Sequence, residues 1–348
     1  MKQRKNIQKL TPYTSARDLY TSGLFLDANE NYKQWIKIDW KKIDALNRYP
    51  ESTSETLRKK LVEKYLKTVD WTEVFIGSGS DEIIDLLIRG FVEDSEAVML
   101  MHPSYSVYEV QSEINNKKVK KVLLNSDFTL NISEIKKNIT NVKMLFLCSP
   151  NNPTGNLVSE DEIDQIMKFY KGLLVIDEAY IEFAGLKNSQ ANLRKKYPNI
   201  IILRTFSKAW GLAGIRCGYA IADKSLIDVL LKIKDSYNIS KPTQLIALQA
   251  LDQIDGLKKA LKDIAAEKKR LTNEIKKLGM IVTQTYANFI LVQIPEAKQT
   301  YKSLATAGVI VRDRSNLPYM DNMLRVTIGS KKENTKLIGE LKKLIKKS

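Results

Sequence analysis

Six short apolar runs recur through the first two thirds of the chain: VFIG (74–77), AVMLM (97–101), KVLLN (121–125), MLFLC (144–148), LLVI (173–176) and IIIL (200–203). Runs of this length with little polar alternation read as strands, the longer ones buried on both faces. The stretches between them carry helical spacing, as in DEIIDLLIRGF (81–91), ISEIKKNI (132–139) and residues 159–170. Strands separated by helices need crossover connections, so the pattern predicts an α/β chain with a mostly parallel central sheet covered on both faces, a three-layer α/β/α fold. In such folds functional side chains gather at the carboxyl ends of the strands.

The residues at those ends carry chemistry. Asn152 follows MLFLC, Asp177 closes LLVI, and Ser207 and Lys208 follow IIILR. Most of the 56 Lys and Arg residues must be ordinary surface charges. Lys208 differs, because it lies between a buried-looking strand and a small-residue turn. A partly desolvated lysine has a lowered pKa and can form a Schiff base with a carbonyl. Thr205, Ser207 and Arg216 place hydroxyls and a guanidinium nearby, groups that suit a phosphate. Asp177 would be costly to bury without a cationic partner, unless it merely caps a helix or joins a salt bridge. The turn GSGSDE (77–82) leads into a helix that Ser80 or Asp81 can cap. Its free N–H groups make an anion site, although a plain strand-to-helix connection reads the same way. Arg312 and Arg325 each fall in strand-like runs, where a lone guanidinium needs an anion or a surface ion pair.

Composition narrows the alternatives. No apolar run approaches the roughly 18 residues of a membrane span, and the opening MKQRKNIQKL lacks the apolar core of a signal peptide, so a cytoplasmic protein is expected. Two cysteines, Cys148 and Cys217, and a single histidine, His102, argue against a disulfide framework and a zinc site. His102 has no serine or cysteine nucleophile motif around it and reads as structural. The net charge of +16 raises nucleic-acid binding, but the excess lies on amphipathic helical repeats such as LKKALKDIAAEKKRLTNEIKKLG. No nucleic-acid-binding motif accompanies it, and the charge reads as a solvated surface that can steer anionic substrates.

The organisation expected is an N-terminal arm over 1–44, a large domain over 45–252 and a smaller α+β domain over 253–348. The arm shows no sustained period. A helix is predicted from about 54 to 67, and the third segment reads as strands at 280–294, 308–313 and 322–329 with helices between and after them.

Three ordered motifs, SPNNPTG (149–155), DEAY (177–180) and TFSKAWGLAGIRCGY (205–219), resemble those of the fold type I pyridoxal-phosphate-dependent aminotransferases. IDEAYIEF, RYPE (48–51) and TPYTSARD (11–18) resemble the histidinol-phosphate branch in particular. The resemblance implies pyridoxal phosphate held on Lys208, with Asp177 keeping the ring nitrogen protonated and Asn152 and Tyr180 bonding the ring's phenolic oxygen. It implies Gly79, Ser80 and Asp81 on the cofactor phosphate and Tyr105 stacked on the ring; as residues alone, the turn and Tyr105 equally fit a connection and a core aromatic.

The same resemblance puts Tyr49 on the phosphate of a neighbouring subunit, so a homodimer completes each site; read alone, Tyr49 is a packing residue. It places Tyr13 and Asn29 near the substrate, Arg325 on a substrate carboxylate and Arg312 on a substrate phosphate. The implied reaction moves an amino group between L-histidinol phosphate and 2-oxoglutarate. Aromatic or broad-range aminotransferases and a threonine-phosphate decarboxylase share these motifs, and a non-catalytic pyridoxal-phosphate-binding regulator is a reading from another class.

Overall fold

The computed structural model describes residues 2–11 and 16–345 of the 348. The apolar runs form a seven-stranded sheet. Its members are β2 (Val74–Gly77), β3 (Ala97–His102), β4 (Lys118–Leu123), β5 (Val142–Cys148), β6 (Leu173–Asp177), β7 (Ile200–Thr205) and β8 (Gly218–Ile221). The spatial order is β2-β8-β7-β6-β5-β3-β4, and every pair from β7 to β4 is parallel. Only β8 runs against its two neighbours. Sequence alone had no strand at β8, because its four residues GYAI are too short and too small to show a period.

Alternate residues of these strands feed two separate cores. On one face Phe75, Val98, Leu100, Phe146, Val175 and Leu203 pack against Ile83 and Leu87 of helix Gly79–Phe91 and Ile227 and Leu230 of helix Lys224–Ile233. On the other, Ile76, Met99, Leu145, Leu147, Ile176 and Ile202 pack against helices Glu55–Leu61, Glu160–Phe169 and Lys241–Leu251. Each aliphatic side chain buried in this way contributes about 1.5–3 kcal/mol. The predicted three layers are therefore two cores sharing one sheet. Helix starts follow local chemistry: Ser159 accepts from the Glu162 N–H at 3.2 Å while the Glu162 carboxylate accepts from the Ser159 N–H at 2.8 Å. The helix predicted near 54–67 begins at Glu55 and its last turn, Val62–Leu66, widens to a π-helix.

A second sheet, entirely antiparallel, has the order β12 (Arg312–Asp313), β13 (Met323–Thr327), β10 (Phe289–Gln293) and β9 (Ile281–Thr283). Helices Ile254–Lys276, Ala297–Thr306 and Lys331–Ile345 accompany it, and residues such as Ile264, Leu271, Val292, Leu304 and Leu324 share a third core. The N-terminal segment is more than an unpatterned arm. Its strand β1 (Leu24–Phe25) runs parallel to β11 (Val309–Ile310), through Leu24 N–H to the Gly308 carbonyl at 2.8 Å and Leu26 N–H to the Ile310 carbonyl at 2.7 Å. Two residues are too few to leave a pattern in sequence. Among the described residues no helix is long and apolar enough to cross a membrane.

Where β8 passes the turn before helix Gly79–Phe91, a Cβ at Gly218 would lie 2.6 Å from the Ser80 nitrogen and 2.7 Å from the Gly79 carbonyl carbon. The obstacle is backbone, so it cannot swing aside. Gly218→Ala should cost about 1–3 kcal/mol of stability in urea titration, as overpacking does; a loss below about 0.5 kcal/mol would show that the contact is not tight.

Candidate active site

The carboxyl ends of β5, β6 and β7 open into a cavity of about 580 Å³ that is also lined by the start of helix Gly79–Phe91, the segment 27–30 and residues of β12 and β13. The register sets Cys148 beside Asp177 and Asp177 beside Leu203, which puts Asp177 in the middle of this edge. It is 2% exposed. Tyr108 donates its hydroxyl to Asp177 Oδ2 at 2.7 Å, and the Ala179 N–H donates to Oδ1 at 3.0 Å. No cationic side chain hydrogen-bonds or ion-pairs with it among the described residues. Burial pushes its carboxyl up to about 6, against the pull of those two hydrogen bonds.

Lys208 reaches the cavity from the turn after β7. Its Nζ donates to the Ala28 carbonyl at 3.0 Å and lies 5.8 Å from the centre of the Tyr180 ring. Burial lowers its amine to about 8, and the positive charge of Arg325 adds to the drop. Tyr180 is buried, accepts from Asn29 Nδ2 at 3.0 Å, and packs edge-on against Phe289. Burial raises its hydroxyl to about 12, with Arg325 working in the opposite direction.

One end of the cavity is built for an anion. Ser80 and Asp81, in the first turn of the thirteen-residue helix, line it together with Thr205, Ser207 and Arg216. Gly79, with φ of 77°, lies so close to Arg216 that a Cβ would stand 2.7 Å from its Nη2. Arg216 itself holds Asp81 only loosely, at 3.4 Å. Thr205 Oγ1 donates to Ser207 Oγ at 2.9 Å. The cavity wall also carries Arg312, Arg314 and Arg325. Arg325 is 4% exposed, donates to Asn152 Oδ1 at 2.6 Å and to the Asp27 carbonyl, and stands 5.6 Å over the Phe289 ring.

Asn29, Ser80, Asp81, Tyr105, Asn152, Asp177, Tyr180, Thr205, Ser207, Lys208, Arg216, Arg312 and Arg325 thus line one cavity, with Gly79 directly behind Ser80. Tyr105 borders it with its hydroxyl on Asp81 Oδ1 at 3.1 Å. Tyr49 does not reach it: the side chain is 79% exposed and stacks on Tyr237 at 4.3 Å. Tyr13 lies outside the described residues. His102, read as structural, lines the outer part of the cavity, and burial lowers its pKa.

Three residues in or behind the lining have no signal in the sequence. Tyr108 supports Asp177 from behind, although it does not itself line the cavity. Asp27 is 6% exposed, its Oδ1 has no hydrogen-bond partner among the described residues, and burial raises its carboxyl. Arg314 joins the arginine wall. Glu30, exposed enough to pair with Arg17 at 2.6 Å, marks the mouth.

A lysine amine, an uncompensated buried acid and an anion cradle on an α/β/α sheet edge together suit a carbonyl-bearing, phosphorylated cofactor. Residues 22–341 match the aminotransferase class I and II family, and the chain belongs to it. A histidinol-phosphate aminotransferase of Christiangramia forsetii is 39% identical over 349 residues, covering 98% of this chain and 96% of its own. The crystal structure of the histidinol-phosphate aminotransferase of Clostridium acetobutylicum superposes with a TM-score of 0.85 at 27% identity, over 93% of this chain and 100% of that one. That of Sinorhizobium meliloti, in complex with pyridoxal-5'-phosphate, shares the fold with a TM-score of 0.87 at 21% identity, over 99% and 97% of the two chains.

The residues present fit pyridoxal phosphate. Asp177 is buried without a cation, a partner that a protonated ring nitrogen would supply, and the cradle at Gly79 would be filled by any Cβ. In cofactor-free protein the Lys208 amine should titrate near pH 8, followed by NMR after reductive methylation with labelled formaldehyde. Arg325→Gln should move that value upward by removing a neighbouring positive charge; an unchanged titration would mean that burial alone sets it.

Proposed function

We propose that this chain catalyses reversible transamination between L-histidinol phosphate and 2-oxoglutarate, giving imidazole-acetol phosphate and L-glutamate, with pyridoxal phosphate as cofactor, as part of histidine biosynthesis. Near-full-length similarity to histidinol-phosphate aminotransferases supports the reading. The single observation that carries the substrate assignment is a cavity wall carrying Arg312, Arg314 and Arg325 together with Lys208. Histidinol phosphate offers that wall a phosphate, and glutamate offers carboxylates. A guanidinium binds either bidentately, so one wall can serve both half-reactions.

Pyridoxal phosphate bound there would supply a carbonyl carbon that takes the substrate amine and a cationic ring that draws off the electron pair left when the α-proton departs. Lys208 anchors the resting form. Once displaced, its amine takes the proton from the substrate α-carbon and returns one later, a task suited to a group titrating near 8. Asp177, whose two donors favour the ionised form against the effect of burial, would accept the ring N–H. Tyr180 already accepts from Asn29, so its own proton is left to donate toward the ring's phenolic oxygen. Asn152 Oδ1 is taken by Arg325, which turns its amide N–H groups to the same purpose. Ser80, Thr205, Ser207, Arg216 and the N–H groups from Gly79 to Asp81 receive the cofactor phosphate, Tyr105 covers the ring, Arg325 grips the substrate carboxylate and Arg312 the substrate phosphate.

The reading includes a homodimer in which Tyr49 completes the phosphate site of the other protomer. Its exposure and its absence from the lining of its own cavity support that role. The domain limits 1–44, 45–252 and 253–348 belong to the same proposal.

Single-turnover spectra separate the substrate classes. The loaded protein should be converted to its amine form faster by L-histidinol phosphate than by L-phenylalanine, and the reverse order would make it an aromatic aminotransferase. Arg312→Gln should lower kcat/KM for histidinol phosphate by about 10–100-fold, the worth of a charge-assisted contact, and disturb the glutamate half-reaction less. Equal losses with both substrates would remove Arg312 from phosphate recognition.

A further inference from the structure

We infer that Tyr108 is a positioning residue for the reaction: its hydroxyl fixes the Asp177 carboxylate so that the proton shared with the cofactor's ring nitrogen stays on nitrogen. The inference rests on the proposed pairing of Asp177 with that nitrogen. Tyr108 lies one turn beyond Tyr105, in helix Val107–Ile114, and is fully buried. Its ring is clamped, stacked on Phe146 at 4.6 Å with an interplanar angle of 8° and edge-on to Tyr105 at 5.6 Å. A ring held on two sides fixes where its hydroxyl points, and it donates to Asp177 Oδ2 at 2.7 Å, with the Cys148 thiol beside it.

The Ala179 N–H holds the other carboxylate oxygen at 3.0 Å. With one donor on each oxygen the carboxylate cannot rotate, and its remaining lone pairs are left for the cavity. Both donors also favour the ionised form over the protonated one. An Asp177 deprived of the hydroxyl becomes more basic and draws the shared proton away from the ring nitrogen. Tyr108 therefore touches neither cofactor nor substrate in this arrangement; it acts through the carboxylate.

The test uses protein reconstituted with pyridoxal phosphate carrying ¹⁵N in the ring, because the nitrogen chemical shift reports where the proton lies. Tyr108→Phe keeps the clamped ring and removes one oxygen. Its nitrogen signal should move toward the neutral value between pH 6 and 9, and cofactor affinity should fall on the order of tenfold or more, as loss of a hydrogen bond to a charged group does. The melting temperature of the cofactor-free variant serves as the check on packing. A nitrogen signal and affinity equal to those of the unmodified protein would overturn the role of Tyr108 and leave the Asp177 pairing standing. A neutral nitrogen in the unmodified protein would instead overturn the pairing, and this inference with it. If the variant does not fold, tyrosine labelled at Cζ in the unmodified protein carries the test. A slowly exchanging buried hydroxyl whose signal shifts on cofactor addition supports the role, and one that does not move rejects it.

Discussion

A carboxylate buried without a cation is the constraint around which the rest of the site is arranged. Two acids stand in succession here, Asp177 as the last residue of β6 and Glu178 directly after it, and their side chains meet different partners. Glu178 is neutralised inside the protein by Arg204 of the adjacent strand at 2.9 Å, with Ser189 bonded to both. Asp177 receives only neutral donors. The chain thus solves the burial of one charge internally and leaves the other as a standing demand for a positive partner, which on the proposed reading arrives with the cofactor.

The same economy governs the cationic groups. Lys208, Arg325, Arg312 and Arg216 share one cavity, and desolvation together with the charges of Arg325 and Arg216 lowers the amine to about 8. Arg325 is the pivot of this arrangement. It lowers the Lys208 amine, opposes the rise of the Tyr180 hydroxyl and orients Asn152. A single buried guanidinium therefore links the proposed acid–base group, a ring-oxygen donor and the substrate wall.

The central sheet and the residues at its strand ends were legible because apolar runs bounded by glycine and polar residues mark buried strands, and a charged residue directly after such a run has few structural reasons to be there. Asn152, Asp177 and Lys208 stand at those points, and the resemblance to aminotransferases brought the remaining cradle residues with them. Tyr108 was not legible. An aromatic three residues from another on a helix has the spacing of ordinary core packing, and its partner lies 69 residues away. Asp27 was lost in a segment without period, and β1 and β8 were too short to display one. Tyr49 is legible only as a motif, since its surroundings within the chain are solvent and Tyr237.

The pairing of β1 with β11 draws the residues just after it into the cavity, and what they offer there is mostly main chain. The Ala28 carbonyl receives Lys208, the Asp27 carbonyl receives Arg325, and the Asn29 carbonyl receives Asn288. Main-chain acceptors survive any side-chain replacement that preserves the strand. At positions 27 and 28 the contacts that hold Lys208 and Arg325 are therefore made by the main chain and not by the side chains, so the path of the backbone here fixes where both cations sit.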